Sequence, residues 1–287
     1  MTPSVFFSTA DIDAWIAEDA PLLDLTSHAL ELDTQPTRLS ITCRDDVTAA
    51  CTEEAARILT HCGGHTLNFV ASGTAITADH CLIRAEGPAH ALLRAWKVMQ
   101  NLLEYACGVA TATATMVTSV HQAAPDCAVL TTRKHPPGIK RIALKSALSG
   151  GALPHRLGLG ETLLVFPQHQ ALICEQTTLR ERLAAQGNRL CEKKLIIEAE
   201  TLDTARTAIA AGADGIQFDK VAPEKLDSWC QRLRDDYPGL TLLAAGGIHS
   251  GNAARYARCG VDALVTSSLY QTPPADLSVQ LTPAAES

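Results

Sequence analysis

From Cys127 onward the chain alternates two apolar patterns. Short, largely apolar runs occur in CAVLTT, TLLVF, KLIIEAE, GIQF, TLLAAGG and ALVTSS. Between them stand RIALKSALSGG, LRERLAAQ, LDTARTAIAAGA, PEKLDSWCQRLRDDY and NAARYARCG, which read as amphipathic helices. A strand apolar on both faces is covered on both, and helical crossovers join such strands in parallel. The pattern predicts a parallel sheet wrapped by helices, either a barrel or a doubly wound sheet.

Residues 1–107 read differently. Alternating segments such as RLSITCR and CLIRAEG mix with helical ones such as ADIDAWIAED and EEAARILTHCG, as in a small α+β unit. From Ala89 to Cys107, Leu92, Leu93, Trp96, Met99, Leu102 and Leu103 share one face, predicting a helix that ends at Gly108 as its cap.

Polar residues choose between the two sheet types. Arg133 and Lys134, Glu198, Asp219, Gly246 and Gly247, then Ser267 and Ser268 follow one strand after another. In a barrel all of them line the C-terminal mouth, whereas a doubly wound sheet offers one crevice, and no GxGxxG follows a first strand. The barrel is preferred.

Composition narrows the partners. A net charge of -7 over 287 residues argues against non-specific binding to nucleic acid or anionic membrane. Yet Cys127–Gly160 carries six Lys or Arg and no Asp or Glu, so the local cluster suits a small anion. With no basic leader and no long apolar stretch, a soluble cytoplasmic protein is expected. The ten cysteines are scattered without a CxxC pair, and HCGGH at His61–His65 matches no zinc spacing.

Cations at Arg133, Lys134, His155 and Arg156 beside carboxylates at Glu198 and Asp219 point to a polyanionic substrate held with a divalent metal. The glycines of AAGGIHSGN and the serines of VTSSL suit close approach of a phosphate to backbone amides. Plainer readings stand beside these. Arg133 and Lys134 read alternatively as a solvated pair, Asp219 and Lys220 as a surface ion pair, and His155 as structural. Lys140, Arg141 and Lys145 read as a solvated helix face, and Glu198 and Glu200 face opposite ways, so only one serves the site.

TTRKHPPGIKRIALKSALSGGALPHRLGLGETLLVF, IIEAETLDTARTAIAAGADGIQFDK and LAAGGIHSGNAARYARCGVDALVTSS together resemble the quinolinate phosphoribosyltransferase family. LDLTSHAL and LLRAWKVMQNLLEYACGVAT extend the likeness over nearly the whole chain, and HPPG with VFPQH resemble its ModD branch, named for its place beside molybdate-transport genes. The resemblance implies an N-terminal α/β sandwich domain at 1–107 and a seven-stranded α/β (TIM-like) barrel at 108–270, with 271–287 packing back on the first domain. It implies a homodimer in which Lys97 reaches the partner's site, and transfer of phosphoribose from phosphoribosyl pyrophosphate (PRPP) to a small heteroaromatic carboxylate with Mg2+. Carried over by motif, Thr132, Arg133, His155 and Arg156 would bind the acid and Lys134 the pyrophosphate. Glu198 and Asp219 would hold metal and ribose, and Gly246, Gly247, Ser267 and Ser268 the 5-phosphate.

Two positions depart from the quinolinate-using pattern. Lys97 stands where those members have an arginine, and Phe166 in FPQH where they have the lysine of a Lys-Asp-Asn-His run. The first keeps charge without the bidentate fork. The second removes a cation that a buried dicarboxylate needs, so the expected acceptor carries less negative charge or more apolar surface than quinolinate. The rival readings are a true quinolinate enzyme of NAD synthesis and a non-catalytic accessory protein in molybdenum handling.

Overall fold

The computed structural model describes residues 4–32, 34–173 and 178–284; the extreme residues of the expected N-terminal domain and C-terminal tail lie outside this range. Two compact units emerge. One comprises Met1–Ala114, His135–Gly151 and Tyr270–Ser287, the other Thr115–Lys134 and Ala152–Leu269. The segment His135–Gly151, read from sequence as part of the barrel, thus clusters with the first unit.

In the first unit, the strands Leu277–Pro283, Pro36–Cys43, Cys81–Pro88 and His65–Phe69 form, in that order, an antiparallel sheet. Period-two alternation buries Leu39, Ile41 and Cys43 on one face, against Leu82, Ile58 and the long helix Ala89–Ala123. That helix runs straight through Gly108, where an end is expected. The glycine has another purpose: a Cβ there would lie 2.5 Å from the carbonyl oxygen of Pro273 and 3.1 Å from the amide nitrogen of Ala275. It lets the returning C-terminal chain lie directly on the helix backbone.

The helix Lys140–Ser149 corrects a second expectation. Lys145 is not on a solvated face but buried, with Nζ 2.8 Å from Glu53 Oε2 and also paired with Glu54. Burial works against a charged Glu53, but hydrogen bonds from Lys145 and from the Ser72 hydroxyl and amide outweigh it, bringing the carboxyl down to about 2. Arg141 likewise pairs with Asp11.

The second unit carries seven strands: β1 (Ala128–Thr131), β2 (Leu153–Pro154), β3 (Leu163–Val165), β4 (Leu195–Ala199), β5 (Gly215–Asp219), β6 (Thr241–Ala245) and β7 (Ala263–Thr266). All neighbours are parallel, in the order β2-β1-β7-β6-β5-β4-β3. This is a TIM-like α/β barrel, open between β2 and β3. Six strands follow from the apolar runs; β2, two residues long, has no periodic signal to find. Leu164, Ile196, Leu243, Ala245, Ala263 and Val265 fill the interior, and Phe166 packs against them. Among the described residues no helix is long and apolar enough to cross a membrane.

Two outcomes test this packing. Lys145→Met strands two carboxylates in a poorly solvated place and should lower the unfolding free energy in urea by about 3–5 kcal/mol. Gly108→Ala forces the Pro273 backbone away and should cost about 1–3 kcal/mol in the same assay, although alanine is the better helix former.

Candidate functional site at the barrel mouth

Each polar group at the mouth is placed by the strand it follows. Beyond β1, the Thr132 amide continues the ladder to Thr266 O at 2.9 Å, and the Thr132 hydroxyl accepts the Lys134 amide at 3.1 Å. The turn leaves Arg133 and Lys134 exposed. Beyond β2, the His155 amide donates to Thr131 O at 2.9 Å. Burial, with Arg156 next to it, brings the imidazole down to about 4, so His155 is neutral at physiological pH. Arg156 is only 8% exposed and has no ion-pair partner within 4 Å among the described residues. Its burial and the nearby Arg133 guanidinium disfavour its charge, and Glu161 partly compensates.

Carboxylates occupy another sector. Glu198 at the end of β4 accepts a hydrogen bond from Gln217 Nε2 on β5 at 3.0 Å, its register partner. Burial, then the neighbouring Asp219, raises the Glu198 pKa. Contrary to expectation, Glu198 and Glu200 do not face opposite ways: residues two positions apart on an extended chain share a face, and both line a cavity of about 590 Å3. Asp219 Oδ2 sits 3.5 Å from Nζ of the exposed Lys220, while its own side chain is mostly covered. Gln217 went unnoticed in the sequence, although a Gln inside the run GIQF was a signal. It is 4% exposed, and its Oε1 has no hydrogen-bond partner among the described residues.

Beyond β6, Gly246 and Gly247 adopt φ of 84° and 72°. A Cβ on Gly246 would come within 2.5 Å of Asp219 Oδ1 and of Lys220 Cγ, so the residue must be glycine for β5 and β6 to end side by side. Beyond β7, the Thr266 hydroxyl donates to Ile248 O at 2.7 Å and accepts the Ser268 amide at 3.1 Å, fixing the turn that carries Ser267 and Ser268.

Arg133, Arg156 and Phe166 meet at a cavity of about 780 Å3, which also touches Glu161, His169 and Lys193. Phe166 stacks on His169, centroids 5.6 Å apart and planes 21° apart, so one ring face is already covered. Lys97 belongs to the first unit, exposed on the long helix, its Nζ 3.1 Å from Gln100 Oε1 and 5.0 Å from the Trp96 ring centroid.

The donor set suits Mg2+. Glu198 and Asp219 offer hard oxygen ligands whose mutual repulsion a cation relieves, and Mg2+ characteristically takes one or two carboxylates and completes its shell with water or phosphate oxygens. No group of three or more His, Cys, Asp or Glu converges among the described residues, which does not suit a closed, all-protein cage.

Comparison with known proteins places this architecture. Residues 24–107 match the family model of the quinolinate phosphoribosyl transferase N-terminal domain, and residues 109–280 that of the C-terminal domain. The protein named pyrophosphorylase ModD in Escherichia coli O6:H1 is 34% identical over 281 residues, 98% of this chain and 99% of that protein. Its namesake in Rhodobacter capsulatus is 37% identical over 86% of this chain and 95% of its own length. The carboxylating nicotinate-nucleotide pyrophosphorylase of Homo sapiens is 28% identical over 94% and 90%. The solved nicotinate-nucleotide pyrophosphorylase of Francisella tularensis shares the fold, with a TM-score of 0.87 over 97% of this chain and 98% of that one at 21% identity. The chain belongs to the quinolinate phosphoribosyl transferase family.

Proposed function

We propose that the protein transfers phosphoribose from PRPP to a small heteroaromatic acid and releases pyrophosphate. The observation that carries this reading is the division of charge at one mouth. Arg133 and Arg156 border a cavity with an aromatic wall, while Glu198 and Asp219 stand together on neighbouring strands. A carboxylated aromatic acceptor fits the first sector, and a metal-bound sugar phosphate fits the second.

In the proposed reaction a ring nitrogen of the acceptor attacks C1 of the ribose. The bond from C1 to pyrophosphate oxygen breaks, and its electron pair leaves with pyrophosphate. No side-chain nucleophile is needed, because positioning and charge stabilisation lower the barrier to the oxocarbenium-like state. Arg156, buried without an ion-pair partner, is poised to hold the acceptor carboxylate with Arg133. Neutral His155 and Thr132 add hydrogen bonds rather than charge. Lys134 meets the leaving pyrophosphate, and Gly246, Gly247, Ser267 and Ser268 receive the 5-phosphate. Bound Mg2+ would neutralise pyrophosphate charge, held by Glu198 and Asp219. Gln217 supports this pair by fixing one oxygen of Glu198. Exposed Lys97, its Nζ over the Trp96 ring, serves the partner's site in a homodimer.

Purified protein with PRPP, Mg2+ and a panel of heteroaromatic acids should release pyrophosphate only when an acceptor is present. Stabilisation by PRPP without release would favour a ligand-binding accessory protein. Lys134→Ala should lower turnover by at least about 100-fold while leaving the melting temperature unchanged; full activity would refute its assignment. The His155 shift has its own signature. Its folded value of about 4 lies below the ordinary 6.5, so the stability it contributes is complete above pH 6.5 and is lost as pH falls from 6.5 toward 4. Thermal melting across that window should show the slope flattened in His155→Gln.

A further inference from the structure

The cavity beside Phe166 limits the charge its occupant can carry. At its mouth end stand Arg133 and Arg156, and within electrostatic reach of Arg156 is Glu161, whose carboxylate also accepts the Leu157 amide at 2.5 Å. Two guanidiniums against one carboxylate leave a single net positive charge. Lys193 also touches the cavity but from its foot: it lies just before β4, whose first residue pairs with Leu163 at the start of β3, whereas Phe166 follows the end of β3. Three residues of strand, about 10 Å, separate the two levels.

The part of the lining formed by Phe166 and His169 is neutral, and its geometry shows why. His169 Nδ1 accepts the backbone N–H of Phe166 at 3.0 Å. A ring nitrogen that accepts carries no proton, so the imidazole is uncharged and bears its hydrogen on Nε2. Stacking against Phe166 holds this orientation. The wall therefore offers an aromatic surface and one neutral N–H donor. A carboxylate placed there would lose hydration without gaining a cation.

We propose that the acceptor is a heteroaromatic monocarboxylate. Its carboxylate lies between Arg133 and Arg156, and its far edge meets the Phe166–His169 wall, where His169 Nε2 donates to a neutral acceptor atom. This deepens, and rests on, the phosphoribosyl-transfer reading. A consequence for the chemistry follows. Transfer to a dicarboxylate such as quinolinate leaves a carboxylate next to the new ring cation; as CO2 departs the electron pair of the C–CO2 bond stays on the ring carbon, stabilised by the adjacent cationic nitrogen, and that carbon then takes a proton from water. A monocarboxylate bearing its acid group elsewhere on the ring stops at the nucleotide acid. One pyrophosphate is released and no CO2.

The test compares nicotinate with quinolinate under PRPP and Mg2+, measuring pyrophosphate and CO2 together. The wild type should prefer nicotinate by at least about tenfold in kcat/KM and release no CO2 with it. His169→Ala should raise KM for nicotinate more than it lowers kcat. Glu161→Gln, which changes no ring and adds one net positive charge, should shift preference toward quinolinate by about tenfold. A wild type that prefers quinolinate and releases CO2 in step with pyrophosphate overturns the proposal, as does a preference unmoved in both variants. Absence of pyrophosphate release with every acid overturns the transferase reading itself, and the monocarboxylate inference with it.

Discussion

Parallel strands covered on both faces leave charged side chains nowhere to go but the strand ends, and this constraint organises the second unit. Its interior is filled by Leu, Ile, Val and Ala, with Gln217 among the buried polar side chains. Since every neighbouring pair runs the same way, the residues that follow the strands emerge on one rim. Arg133, His155, Phe166, Glu198, Asp219, Gly246 and Ser267 come together for that reason, although they are spread over more than a hundred positions of sequence. Gly246 is what lets two of those ends close on each other, because any side chain would strike Asp219.

The rim holds like charges close together in two places. Arg133 disfavours the charge of Arg156, and Asp219 disfavours that of Glu198. Neither arrangement is stabilising in itself. In the first unit the opposite holds: Lys145 sits between Glu53 and Glu54, and its charge is matched at once. The contrast separates a structural ion cluster, complete within the chain, from groups whose charge is balanced only in part by their neighbours.

Much of this was legible in the sequence. Continuous apolar runs gave six of the seven strands, and the residues after them gave the rim, because both signals are local. What stayed hidden depends on distant contacts. The strand Leu153–Pro154 is too short for any period and exists because β1 is there to pair with it. Gly108 resembled a helix cap until Pro273, far along the chain, showed why a side chain is excluded. Lys145 has the spacing of a solvated residue, and only the acidic first turn of the Thr52–His61 helix draws it inward. His169 contacts a backbone amide and a neighbouring ring, and neither contact leaves a trace in residue type.

The contact at Gly108 also bears on how the protein is made. The first unit takes its edge strand from Leu277–Pro283, and the approach to that strand lies on the helix backbone at Gly108. During synthesis the residues of the second unit have all emerged before this strand exists. The unit whose first strands are made before the second unit is therefore completed only after it. Until the terminal strand arrives, Pro36–Cys43 presents an unpaired edge that a nascent neighbour could occupy.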